Sequence, residues 1–180
     1  MSRHFELLLG GSGGQGLVFV SSFIAKAAMA DGLNAAQTQS YGIAQRGGFI
    51  SAEVVVSDQE ILYPKVTRPD LVIALHEAAE PHFVKLDSKV VFDSGLMDSQ
   101  PRPGWAGLPF TDLARSLNCP KAANLIAFGA ALHFAPFIPL EAAEAAARES
   151  FPSGAAEINI QALRLGRSEA VKKFRGGRLR

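Results

Sequence analysis

Two glycine-rich signatures hold the residues whose types and spacing could do chemistry. The first is Leu7-Leu8-Leu9-Gly10-Gly11-Ser12-Gly13-Gly14-Gln15-Gly16, an apolar run feeding a turn that reads G-x-G-x-x-G through Gly11, Gly13 and Gly16. A helical pattern follows at once. This layout turns backbone N–H groups and a helix N-terminus toward an anion. The second is Tyr41-Gly42-Ile43-Ala44-Gln45-Arg46-Gly47-Gly48. Gly47 and Gly48 free the backbone for close approach of another group. Arg46 offers a planar cation suited to phosphate or carboxylate, and Tyr41 adds an aromatic face and a hydroxyl. In a parallel sheet, the loop after the second strand leaves the same edge as the first glycine turn, where ligands collect. Each motif also has a bland reading: a tight strand–helix turn with no ligand, and a surface loop whose Arg46 is merely solvated.

Other chemistries lack their residues. A nicotinamide site calls for an acid about 20 residues past the glycines, on the ribose, but Gln37, Thr38 and Gln39 stand there. Asp31 is the nearby acid, and it precedes the strand in an Asp-Gly helix stop. His4, His76, His82 and His133 show no metal spacing. No G-x-S-x-G elbow and no Walker lysine is present. Asp93 ends an apolar strand, a place where aspartate is more often a turn or helix cap. No catalytic residue and no metal ligand is therefore expected. The single cysteine, Cys119, cannot form an internal disulfide or hold an iron–sulfur cluster alone, and suits a reducing, cytoplasmic setting.

These motifs sit on elements that must position them. The chain has 180 residues, 48% hydrophobic and 19% charged, which suits one globular domain. Its net charge of +1 makes no field for nucleic acid. No apolar run reaches the roughly 18–20 residues of a membrane span, and the N-terminus carries no secretion pattern. Residues 5–9 read as a buried first strand, 15–30 as a helix and 33–38 as a second strand. Residues 49–57 alternate as a half-buried strand, with 61–63 expected to pair with it across the turn at 58–60. Strands follow at 71–75 and 89–93, with a helix suggested over 77–85. Residues 94–109 read as a Pro- and Gly-rich loop. Helices follow from a Thr111 cap to Leu117 and over 120–134, 140–149 and 155–173. The order predicts a three-layer, Rossmann-like α/β domain with a mostly parallel sheet and an antiparallel hairpin at its edge. Residues 1–174 form the domain, and 175–180 a basic tail expected to be disordered.

In these residues the chain resembles the gamma subunit of the 2-oxoacid:ferredoxin oxidoreductases of the pyruvate, ketoisovalerate, 2-oxoglutarate and indolepyruvate types. The family's G-x-G-G-Q-G stands as Gly11-Ser12-Gly13-Gly14-Gln15-Gly16, and its Y-G-x-x-x-R-G-G as Tyr41, Gly42, Arg46, Gly47 and Gly48. Ser57-Asp58 through Ile61-Leu62-Tyr63-Pro64 is similar to its S-D-x-x-I-x-Y-P. Asn124 with Phe128-Gly129-Ala130, and Asn159 with Ala162-Leu163 and Gly166, are similar to its helical segments. The resemblance implies a hetero-oligomer with alpha and beta subunits that serves ferredoxin through the complex. Thiamine diphosphate and 4Fe–4S clusters are expected on the partner subunits. The gamma chain would be structural, inactive alone, and would line a coenzyme A site. The residues expected there are Gly11, Ser12, Gly13, Gly14, Gln15, Gly16, Tyr41, Arg46, Gly47 and Gly48. A self-sufficient NAD(P)-dependent oxidoreductase is the alternative, and Arg46 would clamp a subunit interface if it does not meet coenzyme A.

Overall fold

A computed structural model describes residues 3–41, 48–98 and 102–174. Among these described residues there are six strands: β1 (His4–Ser12), β2 (Asn34–Tyr41), β3 (Phe49–Ser57), β4 (Leu71–Ala74), β5 (Lys89–Asp93) and β6 (Trp105–Leu108). They form one sheet in the order β2-β3-β1-β4-β5-β6. β1, β4, β5 and β6 pair in parallel, and β3 runs antiparallel to both β1 and β2. Leu71-Val72-Ile73-Ala74 of β4 is buried throughout, as a strand covered on both faces should be.

Among the described residues six α-helices accompany the sheet: α1 (Leu17–Ala30), α2 (Glu80–Phe83), α3 (Phe110–Ser116), α4 (Ala123–Phe134), α5 (Leu140–Ser150) and α6 (Ser153–Lys173). The larger core joins Leu7 and Leu9 of β1, Val54 of β3 and Ile73 of β4 to α1 and the C-terminal helices. α4 is buried on nearly every side, hence its lack of a polar stripe. It meets α6 at two glycines. A Cβ on Gly129 would run into the Leu163 carbonyl, and one on Gly166 into the Ile126 carbonyl.

The second face is thinner. Val72, Phe83, Val90 and Phe92 make a small core there under α2. Beside it, two carboxylates hold the 58–70 loop over β1 and β3. Glu53 accepts from Val66 N at 3.1 Å, and Glu6 from Thr67 N at 2.6 Å and Arg68 N at 2.7 Å.

The mostly parallel α/β architecture with an edge hairpin stands, but several local expectations change. Residues 61–63 form no strand: both sides of β3 are already taken by β1 and β2, so β2 and β3 make the hairpin. β1 runs on through Gly10, Gly11 and Ser12. The first helix starts at Leu17, because Gly16 stands at φ 70°. The suggested 77–85 helix divides into a 3₁₀ turn at Glu77–Ala79 and α2. Another 3₁₀ turn, Pro120–Ala122, precedes α4. The loop at 94–109 contains β6, a four-residue strand masked by its Pro and Gly flanks. Thr111 is not a cap: its N–H and hydroxyl donate to the Asp93 carboxylate at 3.0 and 2.6 Å. Residues 175–180 lie outside the described residues.

Candidate functional site

Two side-chain amides pin the glycine turn from opposite sides. Ser12 N–H donates to Gln15 Oε1 at 2.8 Å, and Gln15 Nε2 donates to Leu75 O at 2.7 Å, just past β4. From α4, Asn124 Nδ2 donates to Gln15 O at 3.1 Å and Gly16 O at 3.3 Å. Gly14 (φ 91°) and Gly16 (φ 70°) occupy the left-handed region that favours glycine.

The turn leaves the start of α1 without a side-chain cap. The first intrahelical bond runs from Val20 N to Gly16 O at 2.9 Å. The N–H groups of Leu17, Val18 and Phe19 therefore precede the helical ladder, at the positive end of the helix dipole. Gly14, Gln15, Gly16 and Phe19 line a cleft of about 500 Å³, closed by Leu75, Lys121, Asn124, Phe151 and Asn159. Lys121 brings a cation to a cleft that already offers N–H donors. Phe19 and Phe151, 5.7 Å apart between ring centroids, give it an apolar wall. Asn124 is buried, and its Oδ1 has no partner among the described residues.

Asp93 and Thr111 also line the cleft, yet Asp93 is committed to structure. Its buried carboxylate accepts from Gly95 N as well as from Thr111, fixing the first turn of α3. The perturbed carboxyls belong to Glu6 and Glu144, outside the cleft lining. Burial pushes the Glu6 carboxyl up, but the Arg68 and Thr67 N–H groups, with the His4 and Thr67 side chains, hold it below the usual range. Glu144 is held low first by its hydrogen bonds from Arg164, at 2.6 and 2.7 Å, against the opposing effect of burial. With Asp93 tied up by Gly95 and Thr111, the groups left to meet an anion in the cleft are the N–H donors at the start of α1 and Lys121.

Of the residues expected from the sequence, Gly11 and Ser12 end β1, and Gly13, Gly14, Gln15 and Gly16 form the turn. Tyr41 is the last residue of β2, and Gly48 directly precedes β3. β1 and β2 both run against β3, so both end at the edge of the glycine turn. β3 lies between them: Ile50 pairs with Gly11 on one side and Tyr41 on the other. Gly11 and Tyr41 therefore share an edge but stand two strand spacings apart, about 10 Å. Phe49 pairs with Ser12, which puts Gly48 beside the turn. Arg46, Gly47 and the Tyr41 side chain lie outside the described residues. Sequence reasoning missed Lys121 and the cleft role of Phe19 and Phe151, which carry no motif. Asn124 had a signal, its place five residues before Gly129.

The family model for pyruvate ferredoxin/flavodoxin oxidoreductase matches residues 6–169. Among curated relatives, the 2-oxoglutarate synthase subunit KorC of Methanothermobacter marburgensis is 36% identical over 175 residues, covering 90% of this chain and 94% of that protein. Among solved structures, the gamma subunit of a keto/oxoacid ferredoxin oxidoreductase from Geobacter sulfurreducens superposes with a TM-score of 0.83 at 30% identity, over 94% of this chain and 97% of that one. A 2-oxoglutarate:ferredoxin oxidoreductase from Magnetococcus marinus shares the fold, with a TM-score of 0.80 at 20% identity. The match covers 94% of this chain and 31% of that one.

Proposed function

This chain belongs to the pyruvate ferredoxin/flavodoxin oxidoreductase family, and from that premise we propose that it is the gamma subunit of a multi-subunit 2-oxoacid:ferredoxin oxidoreductase whose glycine-turn cleft receives the phosphates of coenzyme A. The assembled enzyme decarboxylates a 2-oxoacid oxidatively with coenzyme A, giving an acyl-CoA and reduced ferredoxin. The 2-oxoglutarate synthase relative makes 2-oxoglutarate the first substrate to assay.

The observation that carries the coenzyme A reading is a coincidence at one sheet edge. The uncapped start of α1, the Gly14–Gly16 backbone and Lys121 meet in one cleft, and β2 ends and β3 begins at the same edge of the sheet. Backbone N–H groups and a cation hold phosphate without acid or base chemistry. The N-terminal N–H groups of α1 orient the anion, Lys121 neutralises it, and Phe19 and Phe151 exclude water from one wall. Arg46 supplies a second cation. Thiamine diphosphate, when bound, supplies the carbanion chemistry, and it belongs to the alpha and beta subunits. A 4Fe–4S cluster needs cysteine thiolates, and a single cysteine in the chain does not fit one. The clusters therefore sit on partner chains, and the complex works in the cytoplasm.

The nicotinamide alternative loses its geometry as well as its acid. Gln37 Nε2 donates to Ser21 Oγ at 3.1 Å beneath α1, and β3 separates β2 from the glycine strand.

The test uses the assembled complex. Lys121→Ala and Arg46→Ala each remove a charge-assisted contact of about 1.5–3 kcal/mol, raising KM for coenzyme A at least tenfold by that measure. KM for the 2-oxoacid stays nearly constant. Assembled variants with unchanged coenzyme A kinetics remove these residues from the site. A complex that falls apart on Arg46→Ala makes that residue an interface clamp.

A further inference from the structure

The two edges of the sheet are guarded differently. β6 is four residues long, and Lys173 Nζ at the end of α6 donates to the Gly107 carbonyl at 2.9 Å. A short strand crossed by a lysine resists pairing with another chain. β2 has neither protection. It runs for eight residues, Asn-Ala-Ala-Gln-Thr-Gln-Ser-Tyr, with no charge and no proline. It pairs with β3 on one side and, among the described residues, with no strand on the other. Beyond that ladder, the hydrogen bond that reaches its backbone among the described residues runs from Gln37 Nε2 to Thr38 O, at 3.4 Å.

The flank above this edge is open too. α1 lies over β2 and β3, with Ser21 bonded to Gln37. Val18, Ala25 and Met29 share that side of the helix with Ser21, at helical spacing, and none of the three is buried. Met29 is 62% exposed and shares a groove with Asn34, Ala35 and Ala36 of β2.

We propose that β2 is the interface to a second copy of this chain, the two strands pairing antiparallel about a two-fold axis to extend the sheet across both protomers. A lone peptide strand would cover the edge and leave the α1 flank bare. A second copy covers both. α1 sits above the β2–β3 pair, so symmetric pairing brings the two α1 axes to about 10 Å, an ordinary helix-packing distance. Val18, Ala25 and Met29 then face their counterparts.

Side-chain alternation fixes the register. A two-fold axis perpendicular to the sheet keeps each face on its own side, so opposed residues must share parity. The Gln37 amide is already directed at Ser21 and Thr38 O, which disfavours an axis through Gln37. An axis through Thr38 sets the two threonines opposite each other; each hydroxyl keeps its bond to Glu53 Oε2 at 3.0 Å, and the pair brings neither a charge nor a long amide to the axis. Gln37 then meets the partner's Gln39, and Ala36 meets the partner's Ser40. No like charges oppose each other anywhere along the strand.

The full chain, purified alone, should have the mass of a dimer by light scattering at micromolar concentration. Thr38→Cys in a Cys119→Ser background should form an intermolecular disulfide on mild oxidation, because opposed Cα atoms lie about 4.5–5.5 Å apart. The Cys119→Ser parent should not. Ala36→Lys with Ser40→Lys sets like charges opposite each other twice and should weaken dimerisation about tenfold. Ala36→Lys with Ser40→Glu should restore it. Circular dichroism melts of each variant separate a lost interface from a lost fold. A monomeric parent chain overturns the proposal, including one whose β2 amides gain exchange protection only when the other subunits are added. So does a dimer that neither cross-links through Thr38→Cys nor responds to the charge pairs.

Discussion

Replacing Gly16 by alanine tests how the glycine turn is held. At φ 70° an alanine costs roughly 1–2 kcal/mol through its Cβ. That Cβ would also stand 2.6 Å from Asn124 Nδ2, too close for Asn124 to stay. Moving the amide gives up its bonds to Gln15 O and Gly16 O, each worth about 0.5–1.5 kcal/mol net. The expected loss is about 2–5 kcal/mol, within the roughly 5–15 kcal/mol of a stable domain. Urea unfolding of the purified chain reads it as a lower midpoint at constant slope. Two neighbours calibrate the mechanism. Gly14 also has positive φ but open space around it, so Gly14→Ala should cost the backbone strain alone, about 1–2 kcal/mol. Gly13 lies outside the left-handed region, and its added Cβ would find Ile50 at 3.8 Å, so Gly13→Ala should stay within about 0.5 kcal/mol. Asn124→Ala removes the obstacle, so the Gly16→Ala/Asn124→Ala double variant should lose less than the two single losses together. Strict additivity, or a Gly13→Ala as damaging as Gly16→Ala, would refute this account.

The isolated chain, given thiamine diphosphate, coenzyme A, a 2-oxoacid and a viologen acceptor, should show no turnover; substantial viologen reduction would sink the subunit assignment. Acid should weaken the fold through Glu6 and Glu144, whose folded-state values lie below the ordinary carboxylate range. Their contribution is complete above the unfolded value of about 4.3 and is lost as pH falls through the lower folded value. Glu6→Gln should accordingly flatten the fall in urea midpoint below pH 4.5, and an unchanged slope would contradict it. Gly129→Ala drives a methyl into the Leu163 carbonyl and should destabilise the chain by about 1–3 kcal/mol, seen as a lower melting temperature; a neutral result would mean that α4 and α6 separate freely.

The sequence exposed what local pattern controls. The buried run Leu71–Ala74 and the strand Lys89–Asp93 read directly, because bulky apolar residues there are bounded by polar ones. The glycine turn was legible because Gly14 and Gly16 answer a backbone requirement that other residues meet poorly. Pairing partners were less legible. Residues 61–63 have strand-like composition, but β3 has only two sides, and β1 and β2 fill them. That competition is tertiary and leaves no trace in a window of ten residues. β6 was hidden for the opposite reason, since Trp105–Leu108 is a short strand in a Pro- and Gly-rich setting and is held by its neighbour β5. The cleft followed the same division. Its glycine floor was readable, whereas Lys121 and Phe151 reach it from other elements, and only the packing of those elements brings them there.

That packing shows what the long buried helix does for the site. α4 has no polar stripe of its own to set its rotation. Its position is fixed instead by the close crossing with α6, where Gly129 and Gly166 each leave room only for the other helix's backbone. Five residues before Gly129, a turn and a half of helix, Asn124 reaches the carbonyls of Gln15 and Gly16. A rotation or shift of α4 would therefore pull the amide off the glycine turn. It would also move Lys121, in the 3₁₀ turn that leads into the helix. The glycine crossing between α4 and α6 thus sets the geometry of an anion cleft that neither glycine lines.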